Sequence, residues 1–186
     1  MTVSELEQAT TALRQGGIVA HATEGVWGLA CDPRSVAAVK KILDIKQRER
    51  EKGLILIGGV LEYFEQELLG VKPDKNKEIV GSWPGHHTWI LPNLRHYNDW
   101  VTGGRDSVAC RVPGHKQARE LSIKFGGPVV STSANLSGQA ALTSEKAVRD
   151  TFKGILDYIL PGEVGNANGP SNIHLLDGSM LRGSVE

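Results

Sequence analysis

The chain has 186 residues, 40% hydrophobic and 23% charged, which suits a soluble protein with its own core and predicts a single domain over residues 1–186. Its 21 basic and 21 acidic side chains cancel, which counts against a protein that works mainly by neutralising nucleic-acid phosphates; a local basic groove stays open, because fields follow the distribution of charge as well as its sum. No run approaches the ~18 consecutive apolar residues of a membrane span, and the acidic, polar start MTVSELEQATTALRQ is unlike a signal peptide, so the expected setting is the reducing cytoplasm.

Ser4 and Glu7 have capping-box spacing, and Val3, Leu6, Ala9 and Leu13 recur at helical intervals until Gly16-Gly17 ends the element. GIVAHAT (17–23) alternates as a strand, with Ile18, Ala20 and Ala22 on one face and Val19, His21 and Thr23 on the other. SVAAVKKILDIKQR (35–48) is an amphipathic helix that turns Val36, Val39, Ile42 and Leu43 inward. GLILIGG (53–59) reads as a buried strand, 60–69 as a helix, and HTWILP (87–92) and SVACRV (107–112) as further strands. A helix near 115–125 leads into the strand PVVST, and another near 144–153 precedes strands at DYILP and NIHLLD. Strands alternating with helices predict an α/β or α+β sheet protein. The Gly/Asn-rich PGEVGNANGPSN (161–172) is the best candidate for a mobile loop.

Several common sites are missing: there is no G-x-x-x-x-G-K-[ST] loop, no G-x-S-x-G elbow and no H-E-x-x-H. Cys31 and Cys110 lack the paired spacing of a zinc site and read as small buried thiols. His86 and His87, adjacent on a strand, point to opposite faces and do not easily share an ion. Lys46 and Arg48 would diverge by ~200° on a continuous helix. If the helix ends near Lys46, both turn toward one concave site; the alternative is a solvated, salt-bridged helix end. In SVACRV a period of two sets Ser107, Ala109 and Arg111 on one face, which reads as a forked grip on carboxylate or phosphate, or as an exposed edge strand. GGPVVSTSANLSG (126–138) ends an apolar run in hydroxyls and an amide: either a turn, or a strand end whose small residues let backbone amides approach an anion. Strand ends of this kind around one sheet suggest a phosphorylated or adenylated small molecule.

Seven segments resemble, in order and over nearly the whole chain, the YrdC/TsaC-type threonylcarbamoyl-adenylate synthases: ATEGVWGLACD (22–32), KQREREKGLILI (46–57), SWPG (82–85), TGGRDSVACRVPGH (102–115), GGPVVSTSANLSG (126–138), LPGEVG (160–165) and GPSNI (169–173). The family's Lys-x-Arg and later Ser-x-Asn are present as Lys46/Arg48 and Ser133/Asn135, and the chain stops soon after Arg182, as in the short, single-domain form. The resemblance implies an α/β, YrdC-like fold: a twisted mixed sheet flanked by helices around a concave, positively lined cleft. It also implies a reaction, in which L-threonine, bicarbonate or CO2, and ATP give threonylcarbamoyl-adenylate and pyrophosphate. Mg2+ would accompany the nucleotide, with no tightly held protein-ligated metal.

The same resemblance makes Lys46 and Arg48 the catalytic pair, holding the triphosphate with Lys52. Ser107, Asn135, Thr143 and Arg182 would contact the nucleotide, and Thr23, Arg111, Ser133 and Ser171 would hold threonine. No side-chain nucleophile is needed, so positioning and electrostatics would carry the step. The implied partners are transferases of the tRNA t6A pathway, with tRNA or double-stranded RNA contact a further expectation. The chain departs from the family at His21-Ala22, where an aromatic and Pro are usual, at Glu49 in place of Pro, at His86-His87 after WPG, and at Lys52-Gly53-Leu54 and Ile57. Two other readings stay open: a ribosome-maturation or double-stranded-RNA-binding factor, and a nucleotide-binding module without turnover.

Overall fold

Thr2 caps the first helix, with Glu5 closing the capping box, so α1 spans Val3–Arg14 and begins two residues before the expected Ser4–Glu7 pair. Val3 therefore falls on the outer side, 71% exposed, while Ala9, Thr10 and Leu13 face inward. The computed structural model describes residues 1–183. A tight hairpin follows, β1 (Val19–Ala22) and β2 (Trp27–Cys31), both buried throughout. β2 offers no alternation to read, because both of its faces are covered. Ser35 caps α2 (Val36–Lys46), which stops where Gln47 takes a left-handed conformation (φ 50°). Val39, Ile42 and Leu43 are buried as expected, but Val36, in the first turn, is 39% exposed.

β3 (Ile55–Ile57) leads to a segment that divides into a 3-10 turn (Leu61–Phe64) and a short α3 (Glu65–Leu69) where one helix was expected. Two helices were not anticipated: α4 (Pro73–Ser82), which starts at a proline, and the single turn α5 (Asp99–Thr102). β4 (His87–Pro92), β5 (Ser107–Arg111), α6 (Lys116–Phe125), β6 (Val129–Ser133) and α7 (Glu145–Thr151) fall where the pattern put them. Three short strands close the chain: β7 (Tyr158–Ile159), β8 (Asn172–His174) and the unanticipated β9 (Met180–Arg182). The glycine-rich 161–172 stretch is irregular but pinned, since Gly165 N donates to Thr23 O, Ala167 N to Glu24 O and Asn172 N to His86 O.

The nine strands of the described residues join one mixed sheet in the order β7-β1-β2-β6-β3-β5-β4-β8-β9. The register places Ala30, Ser131, Ile55, Ala109 and Ile90 side by side on neighbouring strands, and therefore on one face. α1 and α6 cover one end of that face, through Ala9, Leu13, Leu121 and Phe125 against Val19, Ala30, Val129 and Ile57. The other face buries Leu29, Cys31, Leu56, Cys110 and Val130 against α2, and both cysteines are free thiols there. The result is a sheet with one fully covered face and one half left open. No helix among the described residues is long and apolar enough to cross a membrane.

Candidate functional site

The open half of the sheet face is the floor of a cavity of about 480 Å³, a volume suited to a small-molecule ligand. Ile55, Ala109, Ile90 and Ser131 form that floor, and Arg48, Lys52, Arg105, Arg111 and Arg182 stand around it. No carboxylate lines it among the described residues. Zero net charge thus conceals a segregated field, with five cations converging on one recess.

Arg111 shows how the sheet delivers one of them. It ends β5 on the same face as Ser107 and Ala109, while Val108, Cys110 and Val112 are buried behind. Its Nη2 pairs with Glu24 and donates to His86 Nδ1 at 3.1 Å, and its Nε donates to Gly85 O at 3.0 Å. Glu24 in turn accepts from Gly114 N at 2.6 Å. Burial works to raise the Glu24 carboxyl, but the Arg111 charge and the hydrogen bonds to it outweigh that and hold it below the usual range. One edge of the guanidinium is therefore fixed by protein, and the Nη1 edge makes no hydrogen bond among the described residues.

Arg48, Arg105 and Arg182 make no ion pair among the described residues. They are braced by carbonyls instead: Arg48 donates to Gly53 O (3.0 Å), Arg105 to Glu51 O (2.6 Å) and Arg182 to Ser171 O (2.9 Å). Burial lowers the pKa of Arg48, with Arg105 adding, and burial lowers that of Arg182, with Arg111 and Arg48 adding. Like charges held together without counterions lower one another's affinity for protons, and an anionic ligand relieves that repulsion. Lys52 differs, being paired at the surface with Glu49.

The Lys46/Arg48 pair separates. The left-handed Gln47 sends Arg48 into the cavity and turns Lys46 the other way, toward the loop after β6. Lys46 Nζ donates to Ser133 O, to Asn135 O (2.9 Å) and to Asn135 Oδ1 (2.9 Å), which uses all three ammonium hydrogens. Burial, with the charge of Arg48 adding, lowers its pKa to about 8. Asn135 is equally committed: Oδ1 accepts from Ser133 Oγ (2.7 Å), and Nδ2 donates to Leu136 O and Gln139 O. STSAN is thus a turn built by its own polar groups, and it presents Ser131 and Ser133 to the cavity.

Of the eleven residues singled out from the sequence, eight line the cavity: Thr23, Arg48, Lys52, Ser107, Arg111, Ser133, Ser171 and Arg182. Lys46 and Asn135 lie behind it, and Thr143 is exposed before α7 and outside its lining. Thr23 is held by its hydroxyl on Val26 O (2.7 Å), and Ser171 by Thr88 Oγ1 (2.8 Å) and Arg182. Sequence reasoning missed Arg105, because GGRD carries no period and only the fold sets that side chain over Gly53. His86 and His87 do point apart: His86 meets Arg111, and His87 Nδ1 lies 3.0 Å from His174 Nε2 across β4 and β8.

The family model Sua5/YciO/YrdC, described as "Telomere recombination", matches residues 11–182. The chain is 38% identical to the threonylcarbamoyl-AMP synthase of Xanthomonas euvesicatoria pv. vesicatoria over 96% of its own length and 97% of that relative. It is 42% identical to the synthase of the same name from Stenotrophomonas maltophilia, over 95% and 97% of the two chains. Among solved structures, P. abyssi Sua5 complexed with L-threonine superposes with a TM-score of 0.87 at 29% identity. That match covers 98% of this chain but 55% of the other, so the chain spans about half the length of that structure.

Proposed function

The chain belongs to the Sua5/YciO/YrdC family, and from that premise we propose that its cavity joins L-threonine, bicarbonate or CO2, and ATP into threonylcarbamoyl-adenylate, releasing pyrophosphate. The observation that carries this reading is the carboxylate-free, five-cation lining on an open sheet face. A triphosphate and an amino-acid carboxylate together need such a lining, and a neutral ligand does not.

Arg111, fixed through Nε and Nη2 by Glu24, Gly85 and His86, offers its Nη1 to the threonine carboxylate as a charged donor. Thr23, Ser133 and Ser171 complete that end, and Arg48, Lys52, Ser107 and Arg182 face the nucleotide. Lys46 adds charge from behind and holds the Ser133–Asn135 turn in place. The threonine amine adds CO2 to become a carbamate, whose oxygen attacks the α-phosphorus as pyrophosphate departs. Charge on the phosphoryl oxygens then grows beside guanidinia already in position, so little reorganisation accompanies the step. With no carboxylate in the lining among the described residues, Mg2+ would enter bound to the nucleotide's own phosphates and water. The mixed anhydride formed is a reactive acyl donor suited to consumption by a tRNA-modifying transferase. The continuous sheet supports reading the chain as one folding unit.

The test is mass detection of threonylcarbamoyl-adenylate, with threonine-dependent pyrophosphate release, from purified protein given ATP, Mg2+ and bicarbonate. Release that is absent, or indifferent to threonine and to Arg48→Ala, would sink this reading.

A further inference from the structure

His21 has no role in the assignment above, yet it touches the cavity wall. It stands on β1 opposite Gly28, is 0% exposed, and leans across β2 to bring Nε2 3.1 Å from Ser131 Oγ on β6. Gly28 leaves the room for this: a Cβ there would lie 2.9 Å from His21 Nε2 and 3.0 Å from Ser131 Oγ. The other ring nitrogen, Nδ1, lies 3.2 Å from Ala22 O. A carbonyl oxygen only accepts, so Nδ1 carries the hydrogen. Burial lowers the ring's pKa to about 4, against the opposing pull of the Ala22 carbonyl, so at neutral pH it holds one proton only. Nε2 is then an acceptor, and the Ser131 hydroxyl donates to it. What Ser131 turns to the cavity is oxygen lone pairs, with no proton to offer.

Ser133 and Thr23, whose hydroxyls donate to Asn135 Oδ1 and Val26 O, share that polarity, which contrasts with the guanidinia and the ammonium around them. A phosphate or carboxylate oxygen over Ser131 would meet lone pairs, whereas an N–H would be bound. Ser131 and Arg111 both line the cavity, and a single strand, β3, separates their strands. Two strand spacings make ~10 Å of sheet, a span that a serine, an amino-acid head group and an arginine side chain fill. We propose that Ser131 accepts a hydrogen bond from the α-nitrogen of the amino-acid substrate, and that His21 is the positioning residue that fixes Ser131 as an acceptor. This rests on the synthase reading, with the substrate carboxylate on Arg111.

Two measurements decide it. Long-range 15N–1H correlation spectra of the wild-type protein at neutral pH should show His21 protonated at Nδ1 and bare at Nε2; the opposite tautomer overturns the proposal without any variant. In the pyrophosphate-release assay, Ser131→Ala and His21→Phe should each raise the KM for threonine about tenfold and leave that for ATP within about twofold. His21→Gln, whose Oε1 takes the place of Nε2, should restore it. Wild-type turnover with an unchanged threonine KM in Ser131→Ala, or a rise in the ATP KM instead, overturns this proposal alone. No wild-type turnover overturns the synthase reading and this proposal together. If His21→Phe does not fold, Ser131→Ala and the tautomer still decide.

Discussion

At Arg111 a single guanidinium serves two carboxylates, the protein's own Glu24 and, on the proposed reading, the substrate's. Arg111→Lys keeps the charge but has three donors for Gly85, Glu24, His86 and the substrate together, so the threonine KM should rise by about 10–100-fold with a smaller change for ATP. Arg111→Ala also leaves Glu24 buried without its partner and should cost about 3–5 kcal/mol in a denaturant titration. His21 gives a pH signature of a different kind. Its folded pKa is about 4 against an ordinary 6.5, so between those values the unfolded chain binds more protons than the folded one. Stability is therefore complete above pH 6.5 and falls by about 3 kcal/mol as pH drops toward 4. The charged and titratable neighbours are His115, Glu24 and Arg111. Melting curves across that range should show the loss, and His21→Phe should flatten it. Arg111 was legible from the sequence because alternation alone names its face; His21 was visible only as a departure, since its partner is a serine 110 residues away.

Among the elements, the joint between α2 and the loop after β6 matters most to the site. Three hydrogen bonds from one ammonium hold the backbone and side chain that set Ser133 in the cavity wall. Lys46→Met leaves Asn135 O unpaired and takes one donor each from Ser133 O and Asn135 Oδ1, which should lower stability by about 1–3 kcal/mol and raise the ATP KM through displacement of the turn. Above pH 8, where Lys46 loses its proton, a neutral amine has two donors for three acceptors, so the ATP KM should rise in pH-profile kinetics. Helices with one apolar stripe and strands with one polar face were readable, as α2, α6 and β5 illustrate. β2 was not, being buried on both faces, and β9 was not, because three residues at a sheet edge carry too few periods.

Over the whole molecule, 21 positive and 21 negative charges cancel while five cations gather in one recess. Such a field draws a compact polyanion inward and has little reach along an extended one at physiological salt. Duplex RNA should then bind more weakly than about 10 μM at about 150 mM salt, with ATP displacing it. Affinity that is tighter, or indifferent to ATP, would favour the RNA-binding reading.

Much was fixed along the chain itself: the strand ends rich in hydroxyls, the face of Arg111, the amphipathic stripe of α2, and seven segments in a recognisable order. These are local properties, set by period, by capping and by the conformations open to small residues. Which cations share a recess was not among them. Lys46 and Arg48 look alike two residues apart, yet one left-handed residue sends them to opposite tasks. Arg105, Glu24 and His21 take their roles from partners 54, 87 and 110 residues away. STSANLSG reads as a turn or as a ligand site from sequence alone. The tertiary structure builds the turn and sets it in the cavity wall, because the ammonium that closes the turn comes from another element and leaves Ser131 and Ser133 facing the cavity.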